Sequence, residues 1–306
     1  MTASSPREQL KSELESWVDK FGIRPFVEKN IRTVATWVDL CSPHGASADN
    51  RLLASKELLV VFYSLDDFEG EDWEAYYDDC LRILMRYELR SKSRYERLLV
   101  AYAHTIAEME SRGHDTFYYR RGRIDLISEY RWKRNSPRRG SLTRAEHLDR
   151  RRVTIYTQQW TDMWEILEAA HLTHDARRSL LVRDALESMI LWQIFQNELC
   201  SRTRDRESGE SNLVDITHND TKRAANTVGA NTVWDSRDKA RSRLNLALQR
   251  LRVEAIENSL VPVRYVEILE DCLQGTVENY GQNLERYDLD RSLLAGEVRA
   301  ETPSVY

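Results

Sequence analysis

Helix-breaking residues are scarce in this chain, and their scarcity limits the folds that are open to it. Proline is absent from residues 138–261, and the whole sequence of 306 residues holds 6 prolines and 11 glycines. Long stretches without breakers favour long helices over a protein of many strands and turns. We therefore predict an all-α fold. The expected helices lie at about 7–20, 25–40, 52–65, 71–87, 93–111, 115–133, 144–170, 176–205 (as one helix or two in series), 221–259 and 263–285, with a polar loop at about 207–220.

The composition is typical of a soluble globular protein with a sizeable core. Hydrophobic residues make up 41% of the sequence and charged residues 31%, and the formal net charge of −5 gives no basic field that would argue for nucleic acid. No run approaches the roughly 18 apolar residues of a transmembrane helix, so we expect no membrane span. The four cysteines form no Cys-x-x-Cys pair, which favours reduced thiols in a cytoplasmic protein. We expect one domain over residues 1–295 and a mobile tail over 296–306.

Three oxygen-bearing side chains recur at intervals of four residues within the proline-free region. They are Asn197, Ser201 and Asp205. On a helix this spacing stacks them along one face, and amide, hydroxyl and carboxylate oxygens are ligands that Mg²⁺ accepts. Arginines at 202, 204 and 206 stand among them, which makes sense if an anion such as a diphosphate completes the metal's coordination. The alternative is a solvated helix face.

A second polar cluster directly follows an apolar segment. Residues 52–65 are apolar nearly all round towards their end, which is typical of a buried helix. Six of the seven residues from Asp66 to Asp72 are Asp, Glu or Gly. Carboxylates at the end of a helix face the negative end of its dipole, and bound cations would offset that repulsion. The alternative is an ordinary acidic loop.

Four separated motifs together resemble those of the class I terpene synthases (terpene cyclases) of the bacterial single-domain type. Asp66 and Asp67 with Glu71 stand in the place of that family's aspartate-rich motif. The segment from Trp132 to Thr154 is similar to the one that carries the family's diphosphate-sensing arginine, which we assign to Arg151.

The other two motifs lie in the C-terminal half. The stretch from Asn197 to Asp205 is similar to the family's Asn-Asp-x-x-Ser-x-x-Lys-Glu, and Tyr280 followed by Arg286 and Tyr287 is similar to its C-terminal Trp…Arg-Tyr. Together the four motifs cover about residues 58–287 of the chain.

The resemblance implies a single-domain α-helical bundle around a central apolar pocket, in which Mg²⁺ ions, three by expectation, help to ionise an isoprenyl diphosphate. A C15 or C20 chain and a preformed bicyclic diphosphate are all open as substrates, and the product would be a terpene hydrocarbon or alcohol.

The implied metal ligands are Asp66, Asp67, Glu71, Asn197, Ser201 and Asp205. The implied diphosphate ligands are Arg151, Arg204, Arg286 and Tyr287. The aromatic faces that would stabilise a carbocation are first Phe62 and Tyr63, with Trp160, Trp192, Phe195 and Tyr280 as weaker candidates. Plain core packing is the alternative for each.

Several departures from the family pattern keep other functions open. Gly70 replaces an acid, Glu198 replaces the second Asp of the third motif, and Asp205 replaces its final Glu. A chain-elongating isoprenyl diphosphate synthase would share the fold but uses two Asp-rich motifs. A helical binding or scaffold protein that has lost the chemistry is the alternative of a different class. Whether the chain forms a homodimer is left open.

Overall fold

All of the regular structure that the computed structural model describes is helical. The described residues are 5–63, 65, 72–86, 94–112, 116–136, 142–220 and 226–282. The helices of the first half are α1 (Pro6–Phe21), α2 (Arg24–Val27), α3 (Ile31–Cys41), α4 (Ala48–Glu57), α5 (Trp73–Leu84), α6 (Glu96–Glu110) and α7 (Phe117–Asn135). Those of the second half are α8 (Arg144–Thr154), α9 (Thr157–Leu167), α10 (His174–Arg178), α11 (Leu180–Ser208), α12 (Leu213–Asp220), α13 (Asn226–Glu257) and α14 (Val263–Gln282). The predicted all-α fold is confirmed.

Helix α9 runs through the centre of the bundle. Ten of its eleven residues are buried, and it packs against α4, α7, α11 and α14. A helix buried on every side belongs to the interior of a large helical assembly. One hydrophobic cluster extends around it from Leu10 in α1 to Leu273 in α14, so the described helices share a continuous core.

Helices α11 and α13 make the most extensive contact between two described elements. Residue Ser179 caps the start of α11 by accepting a hydrogen bond from the Val182 amide, and Gly209 ends it in the left-handed conformation at φ 74°. The result is one rigid helix of 29 residues. Its C-terminal half holds all three residues of the third sequence motif.

Several predicted boundaries are wrong. The helix expected over 25–40 is divided into α2, a 3₁₀-helical turn at Glu28–Asn30 and α3. The helix expected over 144–170 is broken after Thr154 and ends at Leu167, and the loop expected at 207–220 contains α12. The segment at 176–205 follows the second of the two expected forms, with α10 and α11 in series. Helix α4 also changes form, because it continues as a π-helical segment at Leu58–Tyr63.

None of the described helices combines the length and the hydropathy that a membrane crossing requires.

Candidate active site

Helix α8 positions Arg151, the predicted diphosphate-sensing residue. A capping box fixes the start of the helix, since the Thr143 hydroxyl accepts from the Glu146 amide while the Glu146 carboxylate accepts from the Thr143 amide. Two turns later the Arg151 side chain points towards α11. Its Nη2 donates to Asn197 Oδ1 at 2.6 Å, and its Nη1 donates to Thr154 Oγ1 at 3.0 Å. The structure therefore brings together the two residues that the second and third motifs singled out.

A buried carboxylate, Glu198, holds the other side of that guanidinium. Arg151 Nε donates to Glu198 Oε1 at 2.7 Å. The second carboxylate oxygen, Oε2, accepts from the Leu213 amide at 2.6 Å and lies 3.1 Å from His147 Nε2. Burial by itself raises the pKa of Glu198, but the charge of Arg151 and the hydrogen bond with His147 outweigh it and lower the pKa to about 2. Glu198 therefore carries a permanent charge that fixes the direction of Arg151.

The polar face of α11 is a connected set of hydrogen bonds and not a solvated surface. Ser201 is wholly buried and Asp205 is 6% exposed. The Ser201 hydroxyl donates to Asp205 Oδ2 at 2.6 Å, and Asn212 Nδ2 donates to the same oxygen at 2.9 Å. Arg204 contacts the other carboxylate oxygen, Oδ1, at 3.1 Å through Nη2, with its own side chain 43% exposed. Burial of this kind contradicts the solvated-face alternative.

Tyr280 reaches the same face from α14. Its hydroxyl accepts a hydrogen bond from Asn197 Nδ2 at 3.1 Å, and the residue is 1% exposed. Because the amide nitrogen of Asn197 is held by Tyr280, its carbonyl oxygen faces Arg151. The fourth motif therefore contributes at least one residue to the arrangement formed by the second and third.

The predicted aromatic faces on α9 and α11 lie in packed surroundings. Trp192 is 2% exposed, and its ring faces the Arg241 guanidinium on α13 at 5.2 Å. It precedes Asn197 by five residues, which places it about 140° around the helix from that side chain. Trp160 donates from Nε1 to the Cys41 carbonyl at 3.3 Å, as expected of a core tryptophan, and Phe195 is 5% exposed. A role for these rings against a carbocation stays a prediction.

Other predicted site residues lie outside the described part of the chain. They are Asp66, Asp67, Glu71, Arg286 and Tyr287. Phe62 and Tyr63 belong to the π-helical segment at Leu58–Tyr63, but their side chains are also outside the description.

Four residues that complete the site were not predicted as parts of it. They are His147, Thr154, Glu198 and Asn212. His147 stands four residues before Arg151 and so shares its helix face, which is a signal that the sequence does contain. Asn212 donates through Nδ2 to the Glu198 carbonyl at 2.9 Å as well as to Asp205. These contacts depend on the turn after Gly209, and sequence spacing alone does not predict them.

The oxygen atoms on α11 are of the type that suits Mg²⁺. Asn197 Oδ1, Ser201 Oγ and the Asp205 carboxylate are hard ligands that share one helix face. The described residues contain no cluster of three or more His, Cys, Asp or Glu side chains that would suit another metal. The donor set therefore fits a divalent cation bound through oxygen, together with an anion that contacts Arg151 and Arg204.

Comparison with known proteins identifies the fold. The sequence matches no protein-family model and no curated protein. The structure, however, is similar to linalool/nerolidol synthase from Streptomyces clavuligerus (TM-score 0.74, 20% identity, covering 89% of this chain and 94% of that one). It is also similar to germacradien-4-ol synthase from Streptomyces citricolor (TM-score 0.76, 16% identity, 90% and 94% covered).

A third similar structure carries ligands. It is 2-methylisoborneol synthase from Streptomyces coelicolor A3(2) in complex with Mg²⁺ and geranyl-S-thiolodiphosphate (TM-score 0.75, 14% identity, 93% of each chain covered). All three similar structures are bacterial terpene synthases that match this chain over nearly its whole length. The chain has the all-α fold of the class I terpene synthases.

Proposed function

We propose that this protein is a class I terpene synthase that ionises a C15 or C20 isoprenyl diphosphate and cyclises the resulting carbocation to a terpene hydrocarbon or alcohol. The observation that carries the proposal is the convergence of Arg151 from α8 and Asn197 from α11 at 2.6 Å, with Ser201 and Asp205 on the same face of α11. An anion-binding cation beside a set of oxygen ligands is the arrangement that a metal–diphosphate substrate requires.

The arginines would bind the diphosphate. Arg151 is held from one side by Glu198, so its guanidinium is already oriented when the substrate arrives, and preorganised donors stabilise developing charge without reorganising. Its bond to Asn197 would be exchanged for diphosphate oxygens. Arg204 is 43% exposed and can turn to the same anion, and Arg286 and Tyr287 are proposed as further ligands.

Magnesium is proposed as the cofactor, with three ions, as the family resemblance implies. Asn197, Ser201 and Asp205 would hold it on one side, and Asp66, Asp67 and Glu71 on the other. When bound, Mg²⁺ would supply the positive charge that makes diphosphate a good leaving group. Breaking the carbon–oxygen bond leaves diphosphate with the electron pair and an allylic cation on the hydrocarbon.

The remaining work would belong to an apolar pocket that excludes water and folds the chain. Phe62 and Tyr63 follow α4 immediately before the acidic motif, and we propose their rings, with Trp192 and Tyr280, as the faces that stabilise the cation. The α11 face also argues against the chain-elongating alternative. That class would place a second Asp-rich motif where this chain has Asn197, Ser201 and Asp205.

Product formation tests the proposal directly. Purified protein is incubated with Mg²⁺ and separately with geranyl, farnesyl and geranylgeranyl diphosphate, and extracts are read by gas chromatography and mass spectrometry. We expect a cyclic product from one substrate, and its loss in Asn197→Ala. Asn245→Ala, an exposed residue of α13, is the matched control and should keep the activity.

A second measurement separates an inactive scaffold from an enzyme with another substrate. Mg²⁺ with inorganic diphosphate should raise the melting temperature, because a ligand that binds only the folded state must stabilise it. No product from the three linear substrates, together with a thermal shift, would point to a preformed bicyclic diphosphate. No product and no shift would leave the scaffold alternative.

A further inference from the structure

A buried cluster of charged and aromatic residues joins α4, α7 and the break between α8 and α9. The carboxylate of Glu57, the last residue of α4, forms an ion pair at 2.5 Å with Arg123 Nη2 of α7, and neither side chain is exposed at all. The hydroxyls of Tyr119 and Tyr156 both donate to that carboxylate, at 3.1 Å and 2.5 Å. The Arg123 guanidinium also lies over both rings, 4.7 Å from the centroid of Tyr119 and 4.6 Å from that of Tyr156.

One member of this cluster has a strained backbone. Tyr156 stands at the break between α8 and α9 with φ 71° and ψ 0°, in the left-handed region. A residue with a Cβ adopts this conformation only at an energetic cost, and it persists where the surroundings hold it. The hydrogen bond to Glu57 and the stacking on Arg123 are among the contacts that hold it here.

The cluster is linked along the backbone to both sets of candidate site residues, the anion-binding set and the metal-binding set. Tyr156 is two residues after Thr154, whose hydroxyl accepts from Arg151. Glu57 directly precedes the π-helical segment at Leu58–Tyr63, which leads to the acidic motif. A displacement of Tyr156 or Glu57 would therefore be transmitted through the backbone to Thr154, the partner of Arg151, and to the π-helical segment.

Stability alone does not explain a buried ion pair of this kind. Removing two charges from water has a large desolvation cost, and well-packed uncharged replacements are often neutral or stabilising. Such a pair can instead fix one geometry, and the strained Tyr156 is the feature of this cluster that requires it.

We propose that the Glu57–Arg123 pair is a positioning device that locks Tyr156, and with it the α8–α9 break, so that Arg151 is aimed at the diphosphate. This inference rests on the proposed function. Glu57 and Arg123 act through Tyr156 and Thr154 and touch no substrate. Replacing them should therefore weaken diphosphate binding and slow turnover in a protein that still folds.

The test removes both charges while keeping the packing. In Glu57→Gln/Arg123→Met the amide still pairs with both tyrosine hydroxyls, and the methionine fills the space between the rings. We expect a folded protein whose affinity for Mg²⁺ with inorganic diphosphate, measured by calorimetry, falls at least fivefold. The value of kcat should fall at least tenfold, with a smaller change in KM. The control is Arg252→Met/Glu270→Gln, which removes a partly exposed pair joining α13 to α14.

Tyr156→Phe is the milder second variant, because it removes only the hydroxyl that binds Glu57. It should lower diphosphate affinity in the same direction by a smaller factor, and it decides the question if the double variant does not fold. Unchanged affinity in a folded variant would overturn the positioning role and leave the proposed function standing. If the wild-type protein binds no diphosphate with Mg²⁺, the proposed function fails and this inference fails with it.

Discussion

Glu198 shows how a single residue can set the electrostatics of the candidate site. It is 2% exposed and contacts Arg151, His147 and the Leu213 amide. Each of these contacts favours its negative charge. The Arg151 side chain is half-buried, and although partial burial disfavours the cation, Glu198 raises its pKa. Truncating Arg151 would leave Glu198 as an uncompensated buried charge, which is strongly destabilising.

The lowered pKa of Glu198 predicts a particular dependence of stability on pH. A carboxyl group with an ordinary pKa of 4.5 and a folded pKa of about 2 stabilises the folded state above pH 4.5, and this contribution is lost as the pH falls towards 2. The advantage of the wild type over Glu198→Gln in free energy of unfolding should shrink by about 1 kcal/mol between about pH 6 and pH 4. Urea denaturation at both pH values measures it. A difference that does not change with pH would contradict the contacts assigned to this carboxylate.

The residues of the site differ in how far the sequence could predict them. The shared face of Asn197, Ser201 and Asp205 follows from helical periodicity, which depends on local sequence alone. The contact between Arg151 and Asn197 joins positions 46 residues apart, so no spacing rule shows it, and the family resemblance supplied it. In the sequence, Glu198 is visible only as a departure from the family pattern. In the sequence, an acidic residue beside a predicted ligand is typical of a surface position. Its burial follows from the packing of α8 against α11, which the sequence does not show.

The break between α8 and α9 is a tertiary feature of a sequence that reads as one helix. Neither glycine nor proline stands at 155 or 156, so the residues that usually mark a break are missing. Partners from elsewhere in the fold make it tolerable. Gln159 Nε2 donates to the Val153 carbonyl at 3.1 Å, a carbonyl that the interrupted helix leaves without its usual partner, and Glu57 holds the Tyr156 hydroxyl.

The stabilities of glycine and alanine variants at Tyr156 should therefore follow the reverse order of their helix propensities. Tyr156→Gly and Tyr156→Ala both lose the ring, so the difference between them isolates the backbone. At a left-handed position glycine avoids the Cβ penalty, and we expect Tyr156→Gly to be more stable than Tyr156→Ala by about 1 kcal/mol. Thermal or urea denaturation of the two variants measures this. In a continuous helix alanine would be the more stable by about the same amount, so the sign of the difference decides.

At the scale of the whole molecule, the sequence predicts the positions of most helices but little of how those helices pack against one another. Breaker spacing and apolar periodicity located α1, α6, α7 and α14 to within a few residues. The sequence predicts a loop where α12 forms, because this stretch is short and polar, yet Leu213 and Val214 at its start are fully buried. Burial against neighbouring helices decides such short elements, and one sequence does not show which neighbours will be there.

A close contact between α3 and α14 depends on one glycine. A Cβ added at Gly275 would clash with the Leu40 carbonyl oxygen and with the backbone of Cys41, neither of which is a flexible side chain. The contact links the N-terminal part of the bundle to the helix that carries Tyr280, and Tyr280 orients Asn197. A change at this point should therefore reach the candidate site as well as the core.

Gly275→Ala should destabilise the protein by at least about 2 kcal/mol, because overpacking against backbone outweighs the roughly 1 kcal/mol by which alanine is the better helix former. Gly281→Ala is the matched control on the same helix, since an added Cβ there meets nothing within 4 Å. We expect the control to be neutral or stabilised by up to about 1 kcal/mol in urea denaturation. Equal stability of the two variants would mean that α3 and α14 do not approach this closely. A destabilised Gly275→Ala that also binds diphosphate more weakly would show that the contact positions Tyr280 in addition to closing the core.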